Sequence, residues 1–233
     1  MQILEAKDIK LFRPKGIKRY WIVTSVDAVA KEIKMHQKRL ANHEVWTDDF
    51  TTMYTMLDHQ RLTEGVGHAI KEAFEYQSER ISRAPRVTLK WLPDGKCHAS
   101  FSDDGAFELD DALRWIPEVV GNTFIKQDST TPTRHQRIGV PMGGKCSSEL
   151  ANLYCYAVES SAIDRMLANG EFDLVKSIYN TSRFIDDMLG FSPVPWDRFD
   201  YGMEHARTNP SPTEAVFLGM KIDTSGEFVK LSL

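Results

Sequence analysis

The chain has 233 residues, of which 42% are hydrophobic and 27% charged, with a net charge of −4. That suits a globular protein with one good core, or a core with a smaller lobe. No apolar run is long enough to cross a bilayer, and no basic-then-apolar start marks a signal peptide, so the sequence reads as intracellular. Cys97, Cys146 and Cys155 are odd in number and lack C-x-x-C spacing, and none of the seven histidines forms an H-x-x-x-H pair. A disulfide frame, a zinc site and a histidine-based metal site are thereby set aside.

Charge is unevenly spread. Residues 1–40 hold ten basic side chains against four acidic ones, leaving the remainder at −10. Such a chain suits a protein that grips phosphate at one end and holds cations at the other, although solvated surface lysines produce the same asymmetry. In chain order, Ile9–Phe12 and Ile17–Thr24 read as strands joined by the turn Arg13–Gly16, and Val26–Leu40 has helical periodicity. Glu44–Asp49 reads as a short strand. Thr51–Tyr76 reads as helix with a break at Gly65–Gly67. Residues 86–108 read as strands around Pro93-Asp94-Gly95, and Leu109–Val120 as a helix stopped by Gly121. The polar loop Gln127–Arg137 leads through Gly139–Gly144 into a long helix carrying Leu150, Leu153, Tyr154, Ala157, Val158 and Ala162. An Asp-Asp hairpin, a short helix near Trp196–Ala206 and strands at Ala215–Asp223 and Glu227–Leu231 complete the chain. Antiparallel strands and helices without βαβ alternation indicate an α+β fold.

The most informative stretch is Arg183-Phe184-Ile185-Asp186-Asp187-Met188-Leu189-Gly190-Phe191. Adjacent carboxylates between apolar strand residues repel each other and are costly away from water. Two readings fit the segment alone: a solvated turn, or a strand–turn–strand tip neutralised by a divalent cation. A second acidic pair, Asp48-Asp49, also follows a strand, where an aspartate is equally suited to capping a helix. Gly143-Gly144 allows close backbone approach to a ligand, or is a plain entry loop to the helix.

Together and in this order, these features resemble the polymerase motifs of reverse transcriptases, most of all the Penelope-like and telomerase branch. Asp49–Tyr54 matches motif A, in the pattern Asp-x-x-x-x-Tyr-Thr. Gln136, Gly139, Met142 and Gly143 followed by Leu150-Ala151-Asn152-Leu153 match motif B, and Phe184–Asp187 matches motif C. Phe217–Ile222 resembles the primer-grip strands, and the likeness runs through most of residues 9–223. It implies a right-hand polymerase palm (44–76 and 126–233) with a small fingers lobe (1–43 and about 77–125) and no room for a thumb. It also implies RNA-templated transfer of dNTPs onto a DNA primer, in the presence of two Mg²⁺ ions or Mn²⁺. Asp49 and Asp186 would then bridge the ions, with Asp187 and the carbonyl of Phe50 in support.

Further roles follow from the same resemblance. Tyr54 takes the position that excludes ribonucleotides, where an isolated reading would make it a core aromatic. Gln136, Met142 and Gly143 lie along nucleotide and template, and Lys145 touches phosphate or faces solvent. Lys18 and Arg19 hold the incoming triphosphate. Two departures stand out: Gly143–Ser148 lacks both prolines of the family's motif B, and Arg19-Tyr20-Trp21-Ile22 replaces an Arg-Pro-Ile signature. The rival functions are a catalytically inactive, retroelement-derived nucleic-acid-binding module and an RNA-dependent RNA polymerase.

Overall fold

The computed structural model describes residues 1–80, 85–91, 97–102, 104–126, 129–141, 144 and 146–232. It begins with a helix, α1 (Gln2–Leu11), and a 3-10 turn at Arg13–Lys15, where two strands and a tight turn are expected. The alternating Ile9 and Leu11 that suggested a strand are exposed. Leu4 and Asp8, one helical turn apart, are the buried positions instead. Asp8 tolerates burial because its carboxylate accepts the Arg19 backbone N–H at 2.6 Å and Arg13 Nε at 2.9 Å. Residues 17–24 form no strand of a ladder. They run beside Arg183, with Val23 N donating to Arg183 O at 2.8 Å and Arg183 N to Trp21 O at 2.7 Å.

α2 (Val26–Leu40) follows the predicted bounds, capped by the Ser25 side chain and burying Val29, Ile33 and Leu40. β1 (Trp46–Asp49) leads into two helices, α3 (Met53–Met56) and α4 (His59–Ser78). The interruption falls at Leu57-Asp58, where Asp58 caps α4 by accepting from Arg61 N, and not at Gly65–Gly67. Gly65 is there for packing: a Cβ on it would lie 2.9 Å from the Tyr154 ring. β2 (Arg86–Trp91) and β3 (Cys97–Ser102) form a hairpin, and its expected turn lies outside the described residues. α5 (Leu109–Gly121), short strands β4 (Phe124–Ile125) and β5 (Arg134–His135), and the long α6 (Ser147–Ala168) follow.

After α7 (Phe172–Ser177) come β6 (Ser182–Phe184) and β7 (Asp187–Gly190). The helix expected near Trp196–Ala206 is reduced to a 3-10 turn at Trp196–Arg198. Beyond it Phe199 and Tyr201 are both buried in an extended run, and Gly202 has φ +63°. β8 (Ala206–Arg207), β9 (Glu214–Phe217), β10 (Met220–Asp223) and β11 (Lys230–Ser232) close the chain.

The central sheet has the order β6-β7-β1-β8 and is antiparallel throughout; a second sheet is ordered β11-β10-β9. Alternation assigns the central sheet's two faces. Trp46 and Met188 join a core with Leu62 and Val66 of α4 and Cys155 and Ile163 of α6. Leu189 points the other way, into a core with Val29 and Ile33 of α2 and Phe217 and Ile222 of the second sheet. α6 is apolar on most sides because it runs through the middle of the first core.

Trp46 and Gly190 are direct cross-strand partners, and a Cβ on Gly190 would lie 2.1 Å from the Trp46 ring. The indole is fully buried and cannot yield. Gly190→Ala is therefore expected to lower stability by about 1–3 kcal/mol, read as a lower urea midpoint at unchanged slope.

Candidate catalytic site

The site is made by register. β6 and β7 are joined by the two-residue loop Ile185-Asp186, with Phe184 paired to Asp187. β1 lies on the other side of β7, and its last residue, Asp49, is the direct partner of Asp187. Opposed residues of an antiparallel pair point to the same face with Cβ atoms about 5 Å apart. Phe50 N donates to Asp186 O at 3.2 Å, which closes the loop against the end of β1. Asp49, Asp186 and Asp187, far apart in the chain, thus meet at one end of the sheet. Asp48 is excluded by the same alternation. It points to the α6 face, is buried, and lies 3.7 Å from Arg207 Nε.

The loop is strained. Ile185 has φ +56° while Asp186 is not left-handed, the pattern of a II′ hairpin turn, whose first central position favours glycine. A β-branched residue there is a conformational outlier.

The electrostatics reflect the convergence. Burial, then Asp186 and Asp49, push the Asp187 carboxyl above its ordinary value; burial, then Asp186, do the same to Asp49. No described lysine or arginine pairs with any of the three. Burial also raises Asp48, opposed by Arg207 and His205. Among the described residues no three His, Cys, Asp or Glu form a ready-made metal cage. Mg²⁺ is commonly held by one or two carboxylates completed by water and substrate phosphates. Uncompensated oxygen donors of like charge fit such an ion in chemistry and in sign.

The other expected residues are placed as follows. Tyr54 is half-buried at the start of α3. Its hydroxyl is raised by burial, then by Asp186 and Glu149, so the ring stands within electrostatic reach of the acids. Beside it, Gly139 N donates to Leu57 O at 2.7 Å and Val140 N to Tyr54 O at 2.8 Å. Gly139 has φ +76°, and a Cβ there would stand 2.3 Å from the Tyr54 carbonyl oxygen, so glycine is required. Gln136 precedes this contact; its Nε2 donates to Ile138 O at 3.0 Å, while its Oε1 is buried without a partner. The Phe50 ring packs on Tyr201, and its carbonyl accepts only a long 3.4 Å bond from Met53 N. Met142, Gly143 and Lys145 lie outside the described residues.

Lys18 and Arg19 do not stand ready for a triphosphate. Both are buried: Lys18 Nζ is held by both oxygens of Glu32 at 3.1 and 3.2 Å, and Arg19 by Glu72 and Asp164 at 2.7 Å each. Burial also holds the Lys18 ammonium below its ordinary pKa. Hydrophobic neighbours Ile17, Tyr20, Trp21 and Ile22 draw the segment inward, and the acids of α2, α4 and α6 neutralise its charges there. An open cleft of ≈ 670 Å³ beside Thr52, Met56 and residues 199–205 has none of the three acids in its wall.

No family model matches the sequence, and no curated protein does. Among solved structures, one of apo telomerase from Candida tropicalis superposes with a TM-score of 0.57 at 16% identity, covering 98% of this chain. In fold, this chain is similar to a telomerase. It spans 40% of that telomerase chain, and at this identity the likeness is one of fold. No described helix is long and apolar enough to cross a membrane.

A raised carboxyl pKa means that the unfolded chain releases its proton first, so Asp187 withdraws stability as pH rises from the ordinary value of 3.8 through its folded value. Asp187→Asn should accordingly stabilise the fold near neutral pH, by at most about 1 kcal/mol because the group is partly solvated. At a pH low enough to protonate every carboxyl, the urea midpoints of the two proteins should coincide.

Proposed function

We propose that the chain is the catalytic core of an RNA-templated DNA polymerase, which transfers dNTPs onto the 3′-hydroxyl of a DNA primer. In this reading residues 44–76 and 126–233 are the palm, and 1–43 and about 77–125 the fingers. The observation that carries it is the meeting of Asp49 with Asp186 and Asp187 across β1 and β7. The telomerase-like fold supports it from the side of architecture.

Asp49 and Asp186 would hold two Mg²⁺ ions, with Asp187 and the Phe50 carbonyl in support; Mn²⁺ has the same preference for oxygen. When bound, the pair supplies Lewis acidity toward the primer hydroxyl and the departing pyrophosphate. Asp49 and Asp187 are brought side by side by the ladder, so little reorganisation is left for the moment of reaction. Tyr54 is half-buried with its main chain tied to Val140 N, and its ring would present an edge that a ribose 2′-hydroxyl meets and a deoxyribose does not. By the motif resemblance, Gln136, Met142, Gly143 and Lys145 would contact nucleotide and template. Template and primer would be held mainly through backbone charge and A-form shape.

The missing prolines of Gly143–Ser148 favour one rival, a non-catalytic nucleic-acid-binding module. Primer extension on an RNA template decides between them. With Mg²⁺ or Mn²⁺ and dNTPs the protein should extend the primer, and Asp186→Ala should reduce the rate more than about 100-fold, beyond the usual loss of a metal's outer-shell partner. Extension that survives Asp186→Ala rejects the site. RNA binding without extension supports the rival, and preference for NTPs makes it an RNA polymerase. Tyr54→Ala should relax the preference for dNTPs over NTPs by about tenfold or more, measured as a ratio of kcat/KM values.

A further inference from the structure

Arg183 lies on β6, three residues before Asp186, and its side chain is fully buried. All five of its N–H donors find acceptors. Nε donates to Glu159 Oε1 at 2.6 Å, and Nη2 to Glu159 Oε2 at 3.4 Å and to the Asn152 carbonyl at 3.3 Å. Nη1 donates to Asn152 Oδ1 at 2.7 Å and to the carbonyl oxygen of Ile185 at 2.9 Å. Glu159 is itself fully buried and also accepts from Tyr201 Oη at 3.3 Å. The guanidinium is therefore fixed by α6 before it reaches the loop.

The bond to Ile185 falls on the residue whose φ is +56°. An isoleucine stays in that conformation only where its surroundings over-determine it. Here one side of the constraint is Arg183, which holds the peptide entering Asp186. The other is Phe50 N, which holds the peptide leaving it. Asp186 is suspended between two fixed carbonyls, which set the direction in which its side chain leaves the backbone.

We propose that Arg183, fixed by Asn152 and Glu159 of α6, is a positioning residue that imposes the left-handed turn at Ile185 and so aims Asp186. The chemistry aimed at rests on the polymerase reading; the control of the turn does not. Arg183 also ties β6 to α6, and the test must separate that structural duty from control of the turn. Glycine at 185 does so, because it adopts positive φ without a clamp.

The experiment compares wild type, Arg183→Lys and the double variant Arg183→Lys/Ile185→Gly. It reads hydrogen exchange of the Asp186 and Asp187 amides and primer-extension kinetics. In Arg183→Lys the two amides should exchange at least about tenfold faster. Extension kcat should fall on the order of 100-fold, as for a catalytic group displaced by about 1 Å, with the dNTP KM changed much less. Ile185→Gly in that background should recover a large part of both. Unchanged exchange in Arg183→Lys overturns the proposal. So does a double variant with no recovery in exchange or rate, which would leave Arg183 a structural tie. If wild type extends no primer, the polymerase reading falls and the exchange measurements alone decide the turn. Should Arg183→Lys not fold, Asn152→Ala, which leaves the Glu159 pair in place, carries the same measurements with smaller shifts in the same direction.

Discussion

The register between β1 and β7 is the constraint on which the site depends. A slip of one residue would put Asp48 instead of Asp49 on the face that Asp187 occupies, because side chains alternate along a strand. The register is fixed at both ends of the short ladder. At one end the Trp46 ring occupies the space over Gly190, which no other residue would leave free. At the other, Phe50 N closes on Asp186 O. Between them Thr47 is held from the β8 side, where Thr208 donates to its carbonyl and hydroxyl oxygens. An indole buried for packing thereby decides which of two adjacent aspartates faces the carboxylates of the hairpin.

The two ends of the molecule treat charge in opposite ways. In the N-terminal region nearly every buried charge has a partner: Asp8 with Arg13, Lys18 with Glu32, and Glu72 with both Lys7 and Arg19. These pairs join α1, α2, α4 and the segment between α1 and α2, and through Asp164 they reach α6. Burial of ions costs several kcal/mol each unless they are paired and hydrogen-bonded, so such a network gives the packing of these elements a defined geometry more than it adds stability. The basic surplus of residues 1–40 is partly this internal framework, which is why net charge by segment was a poor guide to a phosphate site. At the hairpin, by contrast, three acids are left to repel one another.

What the sequence made legible follows from how local each signal is. α2 carries its periodicity and its Ser25 cap locally, and α6 its repeat of apolar residues, so both were readable. The hairpin acids were readable because charge between apolar strand residues is anomalous in itself. α1 was not, because Ile9 and Leu11 imitate strand alternation while the true buried positions include an aspartate, satisfied by Arg13 and Arg19 from outside the helix. Gly65 suggested a helix break, yet it answers to Tyr154, 89 positions later in the chain. The distinction between Asp48 and Asp49 came from the resemblance alone, since strand parity has no meaning until a register is known. Arg183 stood within the informative stretch, but its partners Asn152 and Glu159 lie on α6, two turns apart on one face, and nothing local links them to it.

The telomerase-like fold does not by itself carry chemistry, since one architecture supports many functions. The stronger argument is where the structure accepts unfavourable features. Carboxylates without a cationic partner, an isoleucine at positive φ and a buried unpaired amide oxygen on Gln136 each lower stability. The first two occupy the same loop, and Gln136 belongs to the segment pinned against Tyr54, whose hydroxyl senses Asp186. Single features of these kinds also occur elsewhere: Asn42 and Leu218 have positive φ, and Arg19 Nε, Glu72 Oε2 and Tyr76 Oη are buried without a partner. What sets the hairpin apart is the combination within a few residues of a strained backbone, carboxylates without a cation and a fully bonded guanidinium, which suits a site shaped for a ligand or an ion. A solvated surface turn would need neither the strain nor the clamp.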